Sequence, residues 1–138
     1  MIIDHLGLAV RDIEKGIKQW KESFGYRQKT RVVHNTRQKV KVVFMEKENS
    51  LLIKLIEPSD ETSPIAAFTR KGGGLHHICF KCDDIESGMT KLKEKGNMIL
   101  VKPQPGEAFE NEKIAFALGK NNLAIELIDT DKKAQLID

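Results

Sequence analysis

Residues 4–14 read DHLGLAVRDIE, and residues 76–86 read HHICFKCDDIE. The two stretches match at a fixed offset of 72 positions, which pairs His5 with His77 and superimposes the two Asp-Ile-Glu triplets. The repeat carries polar as well as apolar residues. It therefore predicts two equivalent modules related by a pseudo-twofold axis, in which an inward residue meets its own counterpart.

Each module is predicted to have the element order β-α-β-β-β, with modules at residues 2–57 and 75–129 and a connector at 58–74. Alternating apolar residues indicate the strands, and Asp12 and Asp84 are expected to cap the two helices. The predicted fold class is α+β: a curled sheet forms a cleft, the helices lie outside it, and residues 1–138 make a single domain. The predicted strands are 2–10, 28–35, 39–46, 51–57, 75–82, 97–102, 112–118 and 123–129, and the predicted helices run from about 13 to 24 and from about 85 to 95.

Composition narrows the function classes. The chain has 138 residues, of which 40% are hydrophobic and 31% charged, with a net charge of +3. No basic block or aromatic ladder is present, so nucleic acid is not an expected partner. No apolar run approaches the ~20 residues that span a bilayer. The N-terminus runs straight into a predicted strand, which predicts no signal peptide and a cytoplasmic location.

Cys79 and Cys82 have the spacing of a redox or zinc motif, but they are predicted to be packing residues. In a strand, residues three apart point to opposite faces, and one zinc ion would need more thiolates than these two. The same alternation separates His76 from His77, so His76 is expected to face away from the cleft. The loop 103–111 is long enough to cover a site, and the polar tail after Asp129 is expected to fray.

One charged residue interrupts the last apolar strand of each module. Lys54 and Glu126 are these residues, and they are repeat mates at the same offset as His5 and His77. Charged side chains are rarely buried without a partner or a metal ion. Because the four positions are matched by symmetry, we expect them to converge in a functional cleft.

With these residues the chain resembles the vicinal oxygen chelate superfamily, which includes glyoxalases, ring-cleaving dioxygenases and bleomycin-resistance proteins. Within that superfamily it looks most like the methylmalonyl-CoA epimerases. The resemblance covers about residues 2–129. The stretches that carry it are IDHLGLAV at 3–10, LIEP at 55–58 with SPI at 63–65, GGLHHI at 73–78, KIAF at 113–116 and IEL at 125–127.

The resemblance implies a divalent metal ion (Co, Mn, Ni or Zn) held between the modules by His5, His77 and Glu126. The fourth ligand position, normally Glu or Gln, carries Lys54 in this chain. An epimerase-like isomerase would move the α-proton of an anionic acyl-CoA thioester with help from the ion. Glu126 and Lys54 are the candidate catalytic residues. Relatives often form homodimers, so a dimer is possible.

Three alternatives stay open at this point. The first is chemistry like that of lactoylglutathione lyase, with the same proton transfer on a hemithioacetal. The second is a non-haem iron dioxygenase, because two histidines and one carboxylate suit Fe(II). The third is a metal-free binding protein of the resistance type, in which Lys54 pairs with Glu126 or with an anionic ligand.

Overall fold

The computed structural model describes all residues, Met1–Asp138, and contains one curled nine-stranded sheet and three helices. The predicted element order occurs in both halves of the chain, and the α+β fold class is confirmed. The strands are β1 Ile2–Ala9, β2 Arg27–Gln28, β3 Val33–Asn35, β4 Val40–Glu46, β5 Leu52–Pro58, β6 Gly74–Lys81, β7 Met98–Pro105, β8 Lys113–Leu118 and β9 Ala124–Ile128, and the helices are α1 Ile13–Phe24, α2 Ala66–Arg70 and α3 Ile85–Glu94.

The first strands of the two modules join at the centre of the sheet. The strand order is β2-β4-β5-β1-β6-β9-β8-β7, with β3 paired to β4. β1 runs antiparallel to β6, while β5 lies parallel to β1 and β9 lies parallel to β6. The first and last strands of both modules are therefore the four central strands, and these carry His5, Lys54, His77 and Glu126.

Both long helices begin and pack as the sequence predicts. The Asp12 carboxylate accepts a hydrogen bond from the backbone of Lys15, and Asp84 caps α3 in the same way. Gly25 ends α1 in the left-handed conformation, at φ 73°, where a residue without Cβ is favoured. No helix of the chain is both long and apolar enough to cross a membrane.

The core lies on both faces of the sheet. On the outer face, one cluster lies under α1 and includes Ile17 and Leu55, and another lies under α3 and includes Met89 and Leu127. The inner face has its own cluster, to which both modules contribute. Its members are Ala9, Val40, Val42, Phe44, Ile56, Ile65, Cys79, Ala108, Phe109, Ile114 and Ile128. Cys79 is thus a core residue and Cys82 packs against the cluster under α3, as predicted.

The C-terminal tail is fixed to the domain, so the prediction that it frays is wrong. The backbone of Arg31 donates to the carbonyl of Gln135, and that of Ile137 donates to Lys29. The same contacts explain why the predicted strand 28–35 is broken into β2 and β3. Its middle residues bond to the tail instead, and Thr30 forms an isolated bridge with Leu136.

Candidate active site

Two β-bulges shape the junction of β1 and β6. Asp4 is an extra residue on β1, between the pairs of Ile3 and His5, and His76 is an extra residue on β6, between the pairs of Leu75 and His77. A bulge breaks the alternation of side chains, and it can turn two consecutive residues toward one side. His76 therefore lies beside His77 at the cleft, and the prediction that it faces away is wrong.

Asp4 and His76 are repeat mates, and each bonds the histidine that follows it. The Asp4 carboxylate lies 2.7 Å from His5 Nδ1, and His76 Nδ1 lies 2.8 Å from His77 Nδ1. Gly7 makes room for the second of these pairs, His76 and His77. A Cβ atom built on Gly7 would lie 2.1 Å from Cε1 of the His77 ring, so a side chain there would displace the imidazole.

Glu126 is the centre of the site and is fully buried. Its Oε1 accepts from His5 Nε2 at 2.9 Å and from His77 Nε2 at 3.1 Å. Lys54 Nζ lies 3.2 Å from Oε1 and 3.1 Å from Oε2, and only 2% of Lys54 is exposed. One carboxylate therefore joins the two central histidines and the lysine.

The hydrogen bonds and charges keep Glu126 ionised. Burial by itself would raise its pKa, but Lys54 and the hydrogen bonds from His5 and His77 outweigh burial and hold that pKa well below its usual range. Burial lowers the pKa of His77 to about 4, although Glu126 opposes the shift. His77 is therefore neutral at pH 7.

These protonation states fix the hydrogen on each ring nitrogen of the second pair. An ionised carboxylate only accepts, so His77 Nε2 donates to Glu126 and His77 Nδ1 carries no hydrogen. His76 Nδ1 must then donate to His77 Nδ1. Burial lowers the pKa of His76 as well, so its ring is neutral and its Nε2 is a free base.

The first pair, Asp4 and His5, is covered by a second buried lysine that contacts Asp4. Lys133, from the tail, places Nζ 3.4 Å from Asp4 Oδ2 and packs over the rings of Phe44 and Phe109. Burial would raise the pKa of Asp4, but His5 and Lys133 outweigh it and lower that pKa. Asp4 and Glu126 thus hold the two ring nitrogens of His5 from opposite sides.

A cavity of about 260 Å³ adjoins the second pair. Lys54, His76 and His77 supply its ionisable groups, and most of the remaining wall is apolar. Glu126 lies behind this wall and does not line the cavity. The remaining lining residues are Asn35, Gln38, Val40, Ile56, Pro64, Ile65, Leu100, Val101, Phe116, Ala117, Ala124 and Ile125.

Comparison with known proteins agrees with this architecture. The family model of the Glyoxalase/Bleomycin resistance protein/Dioxygenase superfamily matches residues 4–116. The chain belongs to this superfamily. It is 31% identical over 132 residues to the ethylmalonyl-CoA/methylmalonyl-CoA epimerase of Cereibacter sphaeroides, an alignment that covers 91% of this chain and 95% of that protein.

The chain is also similar to two further methylmalonyl-CoA epimerases. The chain is 36% identical over 95 residues to the human mitochondrial methylmalonyl-CoA epimerase, covering 67% of this chain and 53% of that protein. It therefore spans about half of the human relative. The crystal structure of methylmalonyl-CoA epimerase from Mycobacterium tuberculosis superimposes with a TM-score of 0.81 at 26% identity, covering 92% of this chain and 86% of that one.

Membership of the superfamily raises the question of whether these residues fit a divalent ion. Ligand atoms of His5, His77 and Glu126 lie within 4.8 Å of one another, close enough to share an ion. The ammonium of Lys54 lies against both oxygens of Glu126, however. At ~4 Å and an effective dielectric constant of 20, it would repel a divalent ion by about 8 kcal/mol.

The hydrogen bonds give the same answer. A site built for a cation would contain buried ligand atoms that have no hydrogen-bond partner in the protein. In this chain every buried side-chain nitrogen and oxygen has a hydrogen-bond partner. With Lys54 in its place, the residues do not fit a divalent ion. The three expected ligands, His5, His77 and Glu126, do lie together. Lys54 occupies the remaining side of this cluster and contacts Glu126.

The sequence pattern misplaces two residues. Strict alternation puts His76 on the wrong face, and the tail that contains Lys133 is predicted to fray. A signal for His76 was present in the repeat, because Asp4 and His76 hold the same place before the two central histidines. Lys133 has no comparable signal, since its contacts depend on how the tail folds back.

Proposed function

We propose that this chain is an isomerase of the methylmalonyl-CoA epimerase type, which moves the α-proton of an anionic acyl-CoA thioester. The observation that carries the proposal is the cavity wall. There, an ammonium with one uncommitted hydrogen and a neutral imidazole with a bare Nε2 line the same mainly apolar space. The similarity to the Cereibacter and human epimerases supports this substrate class.

The two groups supply what removal of an α-proton requires. His76 Nε2 accepts the proton while the C–H bond breaks, and the electron pair moves into the thioester carbonyl to form an enolate. Lys54 has three N–H groups, of which Glu126 takes two. The positive charge of Lys54 stabilises the developing oxyanion, and its third hydrogen remains available for the return of a proton.

Inversion needs a proton on the opposite face of the planar enolate. Lys54 projects from β5 and His76 from β6, and β1 lies between these strands. We propose that Lys54 donates the returning proton, after which solvent restores both groups. Glu126 then acts by holding Lys54 and His77 in position. This differs from the expectation that Glu126 is the base, because its oxygens are taken and it does not line the cavity.

The test is proton exchange on methylmalonyl-CoA in D2O, followed by NMR together with the ratio of the two epimers. The parent should exchange the α-proton and interconvert the epimers. His76→Gln should lower kcat by about 10²-fold or more, the usual contribution of a general base. His34→Gln changes an exposed histidine on β3 and should leave turnover unchanged. Parent-like turnover in His76→Gln would remove His76 from the mechanism.

A second candidate is a metal-free binding protein for a small anion. The full engagement of Glu126 by Lys54, His5 and His77 favours it, because a carboxylate held in this way needs no metal. Methylmalonyl-CoA that binds without exchange or epimerisation would support this candidate. Turnover of a hemithioacetal in place of methylmalonyl-CoA would instead indicate lyase-type chemistry.

We propose further that the whole chain is one functional domain that acts in the cytoplasm as a homodimer. Both modules contribute to the site, since Lys54 comes from the first and His76 from the second. Molar mass measured by light scattering tests the dimer. A monomeric mass with full turnover would remove the dimer from the proposal and leave the chemistry intact.

A further inference from the structure

The Lys54 ammonium lies inside the site and not at its edge. It is nearly as buried as the carboxylate it contacts, and it contacts both oxygens of Glu126. Its Nζ also lies 5.3 Å from the centre of the Phe109 ring, which shields one side. Its counter-ion and the aromatic ring hold Lys54 in place, so its charge is a fixed part of the site.

The surrounding charges make an additional cation unfavourable. Two ammonium groups, Lys54 and Lys133, already pair with two carboxylates, Glu126 and Asp4. Each carboxylate of the cluster therefore has its counter-ion, and both lysines are buried. A divalent ion would add unbalanced positive charge beside two buried ammonium groups, whereas a ligand oxygen with negative charge would be attracted to the Lys54 ammonium.

We propose that Lys54 takes the place of a divalent ion in this protein: its ammonium excludes metal from the three candidate ligands and itself binds an oxygen of the anionic acyl ligand. The identity of that ligand rests on the function proposed above, while the exclusion of metal does not. The first and second modules thus contribute the cation and its counter-ion from equivalent strand positions.

The experiment is a titration of the purified, metal-stripped protein with Co²⁺, followed by calorimetry and by the visible absorption of bound cobalt. The parent should bind no cobalt at the site. Lys54→Gln removes the ammonium and supplies an amide oxygen beside Glu126. This variant should bind about one equivalent, at least about 100-fold more tightly than the parent.

Lys133→Gln is the matched control, because it also removes one buried lysine but leaves Lys54 and Glu126 untouched. It should bind no cobalt at Glu126. One equivalent of cobalt in the parent, displaced by substitution of Glu126, would overturn the proposal. Failure of a folded Lys54→Gln variant to bind cobalt would also overturn it, since Lys54 would then not be what excludes the ion.

A measurement on the parent protein covers the case in which Lys54→Gln does not fold. The ¹H–¹⁵N spectrum of lysine ammonium groups should contain a solvent-protected signal from Lys54 that is unchanged by excess Co²⁺. Loss or a paramagnetic shift of that signal on stoichiometric binding would contradict the proposal.

The two proposals fail separately. Absence of turnover, together with cobalt binding only in Lys54→Gln, would reject the isomerase and keep the exclusion of metal. Turnover that survives EDTA in the parent supports both. Turnover that EDTA abolishes and Co²⁺ restores would keep the isomerase and reject the role of Lys54.

Discussion

The two modules share the same element order, but the surroundings of their matched bulges differ chemically. Asp4 and His76 occupy matched bulges and bond the histidines that follow them. Lys133 closes the Asp4 end, whereas the His76 end opens into the cavity. A symmetric frame can thus stabilise the fold at one end and form the reactive cavity at the other, and the C-terminal tail determines which end is closed.

The last strands show a second asymmetry, that of charge. Lys54 on β5 and Glu126 on β9 are repeat mates of opposite sign, and they meet directly. Two carboxylates in these places would repel each other and favour a bound cation. With a lysine in place of one carboxylate, the two side chains form an ion pair in which each charge compensates the other.

Glu126→Gln should have the largest effect on stability. It leaves the Lys54 ammonium buried without its counter-ion, and removal of one partner of a buried pair costs about 3–5 kcal/mol. The free energy of unfolding from urea titration measures this loss. Glu61→Gln is the control, because Glu61 pairs with Arg70 on the surface and should matter by less than ~1 kcal/mol. Equal, small losses in both variants would mean that burial adds nothing to the central pair.

The free energy of unfolding should depend on pH through His77, which lies in the second module. Its pKa of about 4 lies below the unfolded value of 6.5, so the unfolded chain binds the extra proton first. Stability should therefore decrease as the pH falls from about 6.5 to about 4, by up to about 3 kcal/mol. The pKa of Glu126 is lowered too, so its own contribution is lost only at still more acidic pH. The lowered pKa of His76 adds a loss of the same sign below pH 6.5, so His77→Gln should reduce the loss of stability between pH 6.5 and 4 without abolishing it. An unchanged loss would assign it to groups other than His77.

Gly7→Ala should weaken the contact between the modules by a smaller amount. The new methyl group overlaps the His77 ring and forces it away from Glu126, at a cost of about 1–3 kcal/mol. Gly16→Ala in α1 is the control, because its nearest neighbours are side-chain carbons of Leu55 and Val10 at 3.3 Å, and alanine favours helix. A greater loss for Gly16→Ala would show that Gly7 is not a special position.

Lys133→Gln should have the smallest effect. It removes the lysine that closes the first module but leaves Asp4 bonded to His5, so we expect a loss of about 1–2 kcal/mol. Turnover of methylmalonyl-CoA should stay at the parental level, because Lys133 lies on the closed side. A large drop in kcat without a change in stability would contradict the division between a closed and an open side.

The repeat accounts for most of what the sequence could predict. It predicts that His5, Lys54, His77 and Glu126 meet and it locates both capped helices, because matched positions in paired modules meet at the axis. Only Lys54 and His77 of these four line the cavity. The repeat could not place His76, since a bulge shifts the alternation of a strand without changing its composition. The tail was unpredictable for another reason: Lys133 is polar by sequence, and only its contacts with Asp4, Phe44 and Phe109 make it a core residue.

Lys54 and Glu126 form one ion pair where the modules meet. A double-mutant cycle measures their coupling from the free energies of unfolding of the parent, Lys54→Met, Glu126→Gln and the double variant. We predict a coupling energy of about 2 kcal/mol or more, with the double variant more stable than Glu126→Gln alone. Losses that add to within about 0.5 kcal/mol would contradict the claim, because two groups that stabilise each other cannot be removed independently.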